Sequence, residues 1–147
     1  MRITPTLAQF TALAEDRRVI SVHAKLLADD LTPVAVYQAL CGGREGTFLF
    51  ESAEAGVWSR YSFIGVRTAA TLTEVEGKAR WIGHQLAGIG EGNPLEVLRA
   101  TLTELATPVV EGLPPFHAGM VGYLGYDVVR RLERLPDTTV DDLGLPE

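Results

Sequence analysis

Glu51 and Ser52 stand at the end of one apolar run, Thr47 to Ser52, and Arg60 opens a second, Arg60 to Val66. A carboxylate, a hydroxyl and a base beside aromatic rings can hold a small zwitterion. The carboxylate would anchor an ammonium group through a charge-assisted hydrogen bond. A bland alternative stands beside it, because a serine at a strand end readily bonds local backbone and shapes a turn. Composition does not choose between the two.

Other candidates are weaker. Gly119-Met120-Val121-Gly122-Tyr123-Leu124-Gly125 has the spacing G-x-x-G-x-x-G, which departs from the dinucleotide fingerprint. Its glycines read instead as close backbone approach. His23, His84 and His117 fall in different predicted elements without metal-ligand spacing. Cys41 is the single cysteine, so it forms no internal disulfide, and it reads as a buried thiol. Arg130, Arg131, Glu133 and Arg134 suggest a solvated helix face or, alternatively, an anion site.

These residues must be positioned by a small fold. The 147 residues fit one domain, and a compact chain of that length buries roughly 68–70% of its unfolded surface. Hydrophobic residues make up 46% and charged ones 22%, the balance of a globular protein. A net charge of −6 argues against a nucleic-acid partner, which needs a basic face. No apolar run approaches the ~20 residues of a membrane span, and the N-terminus lacks a signal pattern. Cytoplasm is the default compartment.

Thr6 predicts a first helix carrying Leu7, Phe10, Leu13 and Ala14, closed by Asp16-Arg17-Arg18. Val19 to Ala24 reads as a strand. Thr32-Pro33 caps a second helix with a stripe of Val36, Tyr37 and Leu40, stopped by Gly42-Gly43. Thr68 to Gly83 reads as a hairpin turning at Glu76-Gly77-Lys78, and His84 to Gly92 as a loop. Asn93-Pro94 starts a third helix with Leu95, Leu98, Leu102 and Leu105 on one face. Phe116 to Tyr123 reads as a strand and Tyr126 to Leu135 as a helix. Helices and strands mix without a βαβ rhythm, which predicts an α+β fold with mostly antiparallel sheets and a few helices. The turn-rich stretch Asp137 to Glu147 adds no core element.

The chain resembles the N-terminal region of the large, chorismate-using component of anthranilate synthases. The resemblance rests on Ala28-Asp29-Asp30-Leu31-Thr32-Pro33 with Tyr37 and Leu40, on Phe48-Leu49-Phe50-Glu51-Ser52-Ala53-Glu54, and on Trp58 to Gly65. It continues through Gly119-Met120-Val121-Gly122-Tyr123, Tyr126-Asp127, Val129-Arg130, Glu133, Leu135-Pro136 and Asp141-Asp142-Leu143. These segments follow family order along nearly the whole chain.

The resemblance implies an enzyme that adds ammonia to chorismate and eliminates pyruvate, giving anthranilate in tryptophan biosynthesis. It implies magnesium in the parent enzyme and a glutamine amidotransferase subunit that supplies the ammonia. It places the chemistry and the metal in a C-terminal chorismate-binding domain, leaving residues 1–147 as an N-terminal regulatory domain with no catalytic residue or cofactor of its own, part of a two-layer fold. The family holds its feedback inhibitor, L-tryptophan, near a Leu-Leu-Glu-Ser motif, which reads Leu49-Phe50-Glu51-Ser52 here. On that basis Glu51, Ser52 and Arg60 are the expected tryptophan-binding residues, Arg60 by the weaker correspondence. Phe50 replaces the usual leucine, and Ser21 stands where proline is frequent. Position 50 of a strand faces away from Glu51, so the change bears on packing. Two other readings stay open: the equivalent domain of aminodeoxychorismate synthase in folate synthesis, and a free-standing amino-acid-binding module.

Overall fold

The computed structural model describes residues 1–51, 61–114, 116–136, 138, 140 and 144. Strand β1 (Ile3–Thr4) leads into helix α1 (Leu7–Leu13), then strand β2 (His23–Ala24) and helix α2 (Pro33–Cys41). Strands β3 (Phe48–Phe50), β4 (Phe63–Gly65), β5 (Ala70–Val75) and β6 (Lys78–Gly83) follow, then helix α3 (Pro94–Glu104) and a 3-10 helix, Tyr126–Arg131. Among the described residues the strands form three antiparallel pairs, β1–β2, β3–β4 and β5–β6. The fold is α+β.

Local chemistry explains the helix starts. Thr6 and Gln9 form a reciprocal capping box at α1, with the Thr6 amide donating to the Gln9 side chain at 2.9 Å. Thr32 accepts from the Ala35 amide at 3.2 Å ahead of Pro33, and Gly42 closes α2 in the left-handed conformation at φ 56°. Asn93 accepts from the Leu95 amide at 3.0 Å ahead of Pro94. The β5–β6 hairpin turns on two residues, Glu76 at φ 51° and Gly77 at φ 78°. Two consecutive positive φ values are the type I′ geometry that matches strand twist.

The principal core cluster lies between β5–β6 and α3. Ala79, Ile89 and Val97 are buried there, with Leu72, Trp81 and Leu86 packed around them. Thr101 is fully buried, and its hydroxyl donates to the Val97 carbonyl at 2.7 Å. The leucine stripe expected of α3 is only part of its covered side: Leu95, Leu98 and Leu105 are half-buried, and the fully buried residues are Val97 and Thr101. Val97 and Thr101, one turn apart, meet the hairpin, while Leu102 is 47% exposed. On α2 the expected stripe shifts in the same way: Val36 and Tyr37 are half-buried, Leu40 is exposed, and Cys41 is buried completely.

Three further expectations are corrected. Only His23–Ala24 of the predicted strand Val19 to Ala24 is paired, because β1 is two residues long and is followed by Pro5, which has no amide to donate. Phe116 to Tyr123 forms no strand among its described residues: Gly119 sits at φ 144°, outside extended geometry, close to the Phe116 ring. The C-terminal helix is a short 3-10 turn, since Gly125 offers no side-chain cap and the β-branched Val128 and Val129 disfavour an α-helix.

The chain exposes 11,855 Å² for 15.9 kDa, whereas a compact monomer of that mass exposes about 7,400 Å². It buries about half of its unfolded surface, less than the length alone predicts. No residue of α1 is buried, although Leu7 and Phe10 lie on it. Leu26, Leu27, Leu124, Tyr126 and Leu132 are likewise exposed.

Candidate functional site

The site is built on the β3–β4 pair. Its register sets Phe48 opposite Gly65, Leu49 opposite Ile64 and Phe50 opposite Phe63. Period-2 geometry therefore collects Phe48, Phe50 and Phe63 on one face. The rings of Phe48 and Phe50 lie 5.0 Å apart, and Tyr61 lies 6.1 Å from Phe63. Phe116, more than fifty residues on, meets Phe63 edge to face at 5.4 Å and 79°. Phe50 remains 51% exposed.

Helix α2 anchors the base of this pair. The buried Cys41 thiol donates to the Gly65 carbonyl with sulfur and oxygen 3.7 Å apart, a weak bond by nature. The hydroxyls of Tyr37 and Thr47 lie 3.1 Å apart, and Thr47 donates to the Arg44 carbonyl at 2.8 Å. Thr68 donates to the Gly46 carbonyl, joining the two strands behind their first pair.

Glu51 follows the last residue of β3 and is exposed. Among the described residues none pairs with its carboxylate. Of the three expected ligand-binding residues, Glu51 stands at the strand end as the sequence indicates, whereas Ser52 and Arg60 lie outside the described residues. The contribution of Phe116 was not foreseen, because nothing local links it to Phe63. The alternation Phe48/Phe50 and Tyr61/Phe63 does point to a shared ring face once the strands are paired.

Two concavities among the described residues lie elsewhere. One of about 450 Å³ runs along residues 85–90, and one of about 430 Å³ lies between that loop and α3, beside Glu96, Arg99 and Thr103. Both are open grooves that enclose nothing, so the exposed carboxylate beside the ring face remains the better candidate. Among the described residues no three His, Cys, Asp or Glu side chains converge on a metal position, and no helix is long and apolar enough to cross a membrane. The arginines on the 3-10 helix are engaged within the chain. Arg130 pairs with Asp127 at 2.6 Å, and Arg131 faces Glu74 at 3.7 Å.

The chain is 50% identical over 147 residues to anthranilate synthase component 1 of Arthrobacter globiformis, covering 99% of this chain and 28% of that relative. The chain is homologous to the N-terminal part of anthranilate synthase component 1. The same protein of Mycolicibacterium smegmatis is 50% identical over 146 residues, covering 98% of this chain and 28% of the relative. That of Streptomyces coelicolor is 39% identical over 144 residues, covering 97% and 25% respectively. The chain thus spans little more than a quarter of the length of these relatives. No family model matches it.

Proposed function

We propose that residues 1–147 form the tryptophan-sensing regulatory part of an anthranilate synthase component 1, acting in the cytoplasm within an enzyme that makes anthranilate from chorismate and ammonia. The observation that carries this reading is 50% identity along 147 residues to a protein of that name. The relatives reported above share it, which favours this pathway over aminodeoxychorismate synthesis.

In this reading Glu51 receives the ammonium of free tryptophan at the end of β3, with Ser52 and Arg60 completing the polar contacts. The exposed carboxylate, which no described residue pairs with, supports that role. An ammonium brought to it gains a charge-assisted hydrogen bond, and apolar side chains beside the site cover the indole. Feedback then requires that tryptophan bind the less active arrangement of the enzyme more tightly, a coupling of about 1–3 kcal/mol.

The catalytic work is assigned to a C-terminal chorismate-binding domain. By the same resemblance, magnesium is assigned to that domain as well. The apolar side chains left uncovered on α1 and around Tyr126 are the surface such a domain would cover. A glutamine amidotransferase subunit is the assigned ammonia source.

The test is anthranilate formation by the full-length protein from chorismate, ammonium and magnesium, followed by fluorescence with and without tryptophan. Turnover that falls as tryptophan is added is the expected result. Turnover indifferent to tryptophan at saturating concentration would remove the sensing role, and the segment alone should show no turnover at all.

A further inference from the structure

We propose that Phe48 and Gly65 act as a positioning pair that sets where Glu51 stands, and that this contact tunes tryptophan affinity; the inference rests on the sensing role proposed above. Gly65 faces Phe48 directly across the strand pair. The Phe48 ring fills the space that a β-carbon at position 65 would occupy, so any larger residue there would overlap the ring. A glycine inside a strand costs strand stability. Here the neighbouring ring occupies the vacancy, the arrangement by which aromatics compensate glycines in sheets.

The contact lies at the anchored end of the β3–β4 pair. On one side Cys41, completely buried, holds the Gly65 carbonyl from α2. On the other, Phe48 stacks on Phe50 at 5.0 Å, immediately before Glu51. Tyr37 meets Thr47, and Thr68 meets the Gly46 carbonyl, so the backbone on both sides of the pair is tied down. Glu51 lies three residues farther along the chain, just past the end of β3, about 10 Å from Phe48 at a rise of roughly 3.3 Å per residue. A methyl forced between Phe48 and Gly65 has little room to be absorbed at that base. It would push the Phe48 ring off Gly65 and against Phe50, 5.0 Å away and next in the chain to Glu51, and so move the Glu51 carboxylate. Neither residue touches the ligand in this scheme.

The test compares tryptophan inhibition in the full-length protein carrying Gly65→Ala, Phe48→Val or both, with wild type and Glu51→Ala measured alongside. Gly65→Ala should weaken inhibition about tenfold or more while kcat and KM for chorismate stay near wild type. The double variant, in which the smaller side chain admits the methyl, should recover most of the inhibition that Gly65→Ala loses. If Gly65→Ala does not fold, a folded, inhibitable double variant is the same rescue. Wild-type inhibition in Gly65→Ala, or a double variant no better than that single variant, overturns the positioning role while Glu51→Ala still reports on the site. A wild type insensitive to tryptophan overturns the sensing role itself, and this proposal with it.

Discussion

Arg131→Met removes the cation that faces Glu74 and keeps much of the apolar stem. The guanidinium and carboxylate lie 3.7 Å apart, and their side chains are only 17% and 14% exposed. At an effective dielectric of 20 the Coulomb attraction at that distance is about 4–5 kcal/mol. Desolvation of both ions offsets a large part of it. Exposed pairs contribute roughly 0.2–1 kcal/mol, and breaking a fully buried one costs about 3–5 kcal/mol. A mostly covered pair should fall between, and the Gly77 amide, which also donates to Glu74, leaves the carboxylate one partner after the change. We therefore expect a coupling of about 1.5–2.5 kcal/mol between Arg131→Met and Glu74→Gln in a double-mutant cycle. Urea denaturation of the chain, followed by fluorescence and far-ultraviolet circular dichroism, measures it. The coupling should survive moderate salt, since screening acts chiefly on exposed charges. A coupling within about 0.3 kcal/mol of zero would refute the reasoning and make the 3-10 helix independent of the hairpin turn.

The turn itself gives a second expectation. Glu76 occupies a left-handed position that asparagine tolerates better, so Glu76→Asn should raise the urea midpoint, with a gain of about 0.5–1 kcal/mol. A lower midpoint would mean that the glutamate makes a compensating contact. Calorimetric titration of tryptophan into residues 1–147 should give millimolar binding or none, because a site that leaves about 100 Å² of the indole uncovered loses about 2.5 kcal/mol. Low-micromolar binding would place the whole pocket within this segment and favour the free-standing module.

The helix boundaries were legible because caps are local. Thr6, Thr32 and Asn93 each announce a start in the few residues around them, and Gly42 announces a stop. The β5–β6 hairpin was legible for the same reason, its turn being fixed by Glu76-Gly77. What failed depended on distant partners. The α3 leucines form a regular stripe of which Leu95, Leu98 and Leu105 are half-buried, but the deepest burial falls on Val97 and Thr101, and no local rule identifies how a remote sheet will centre on a helix. Val19 to Ala24 has strand character along its length, yet pairing reaches only as far as the two residues of β1. At the site, Glu51 was legible as a strand-end carboxylate, and the face taken by Phe50 followed from alternation. Phe116 on Phe63, Arg131 on Glu74 and Cys41 on Gly65 were not, each joining residues more than twenty positions apart.

The central claim is that Glu51 lets this segment report tryptophan to a catalytic domain. The most direct measurement is the tryptophan inhibition constant of the full-length protein, wild type against Glu51→Ala, at fixed chorismate. Loss of a charged hydrogen-bond partner costs about 1.5–3 kcal/mol, so the constant should rise roughly 10- to 150-fold with uninhibited turnover unchanged. An inhibition curve that superimposes on wild type would contradict the account and leave Glu51 as a residue that only shapes a turn.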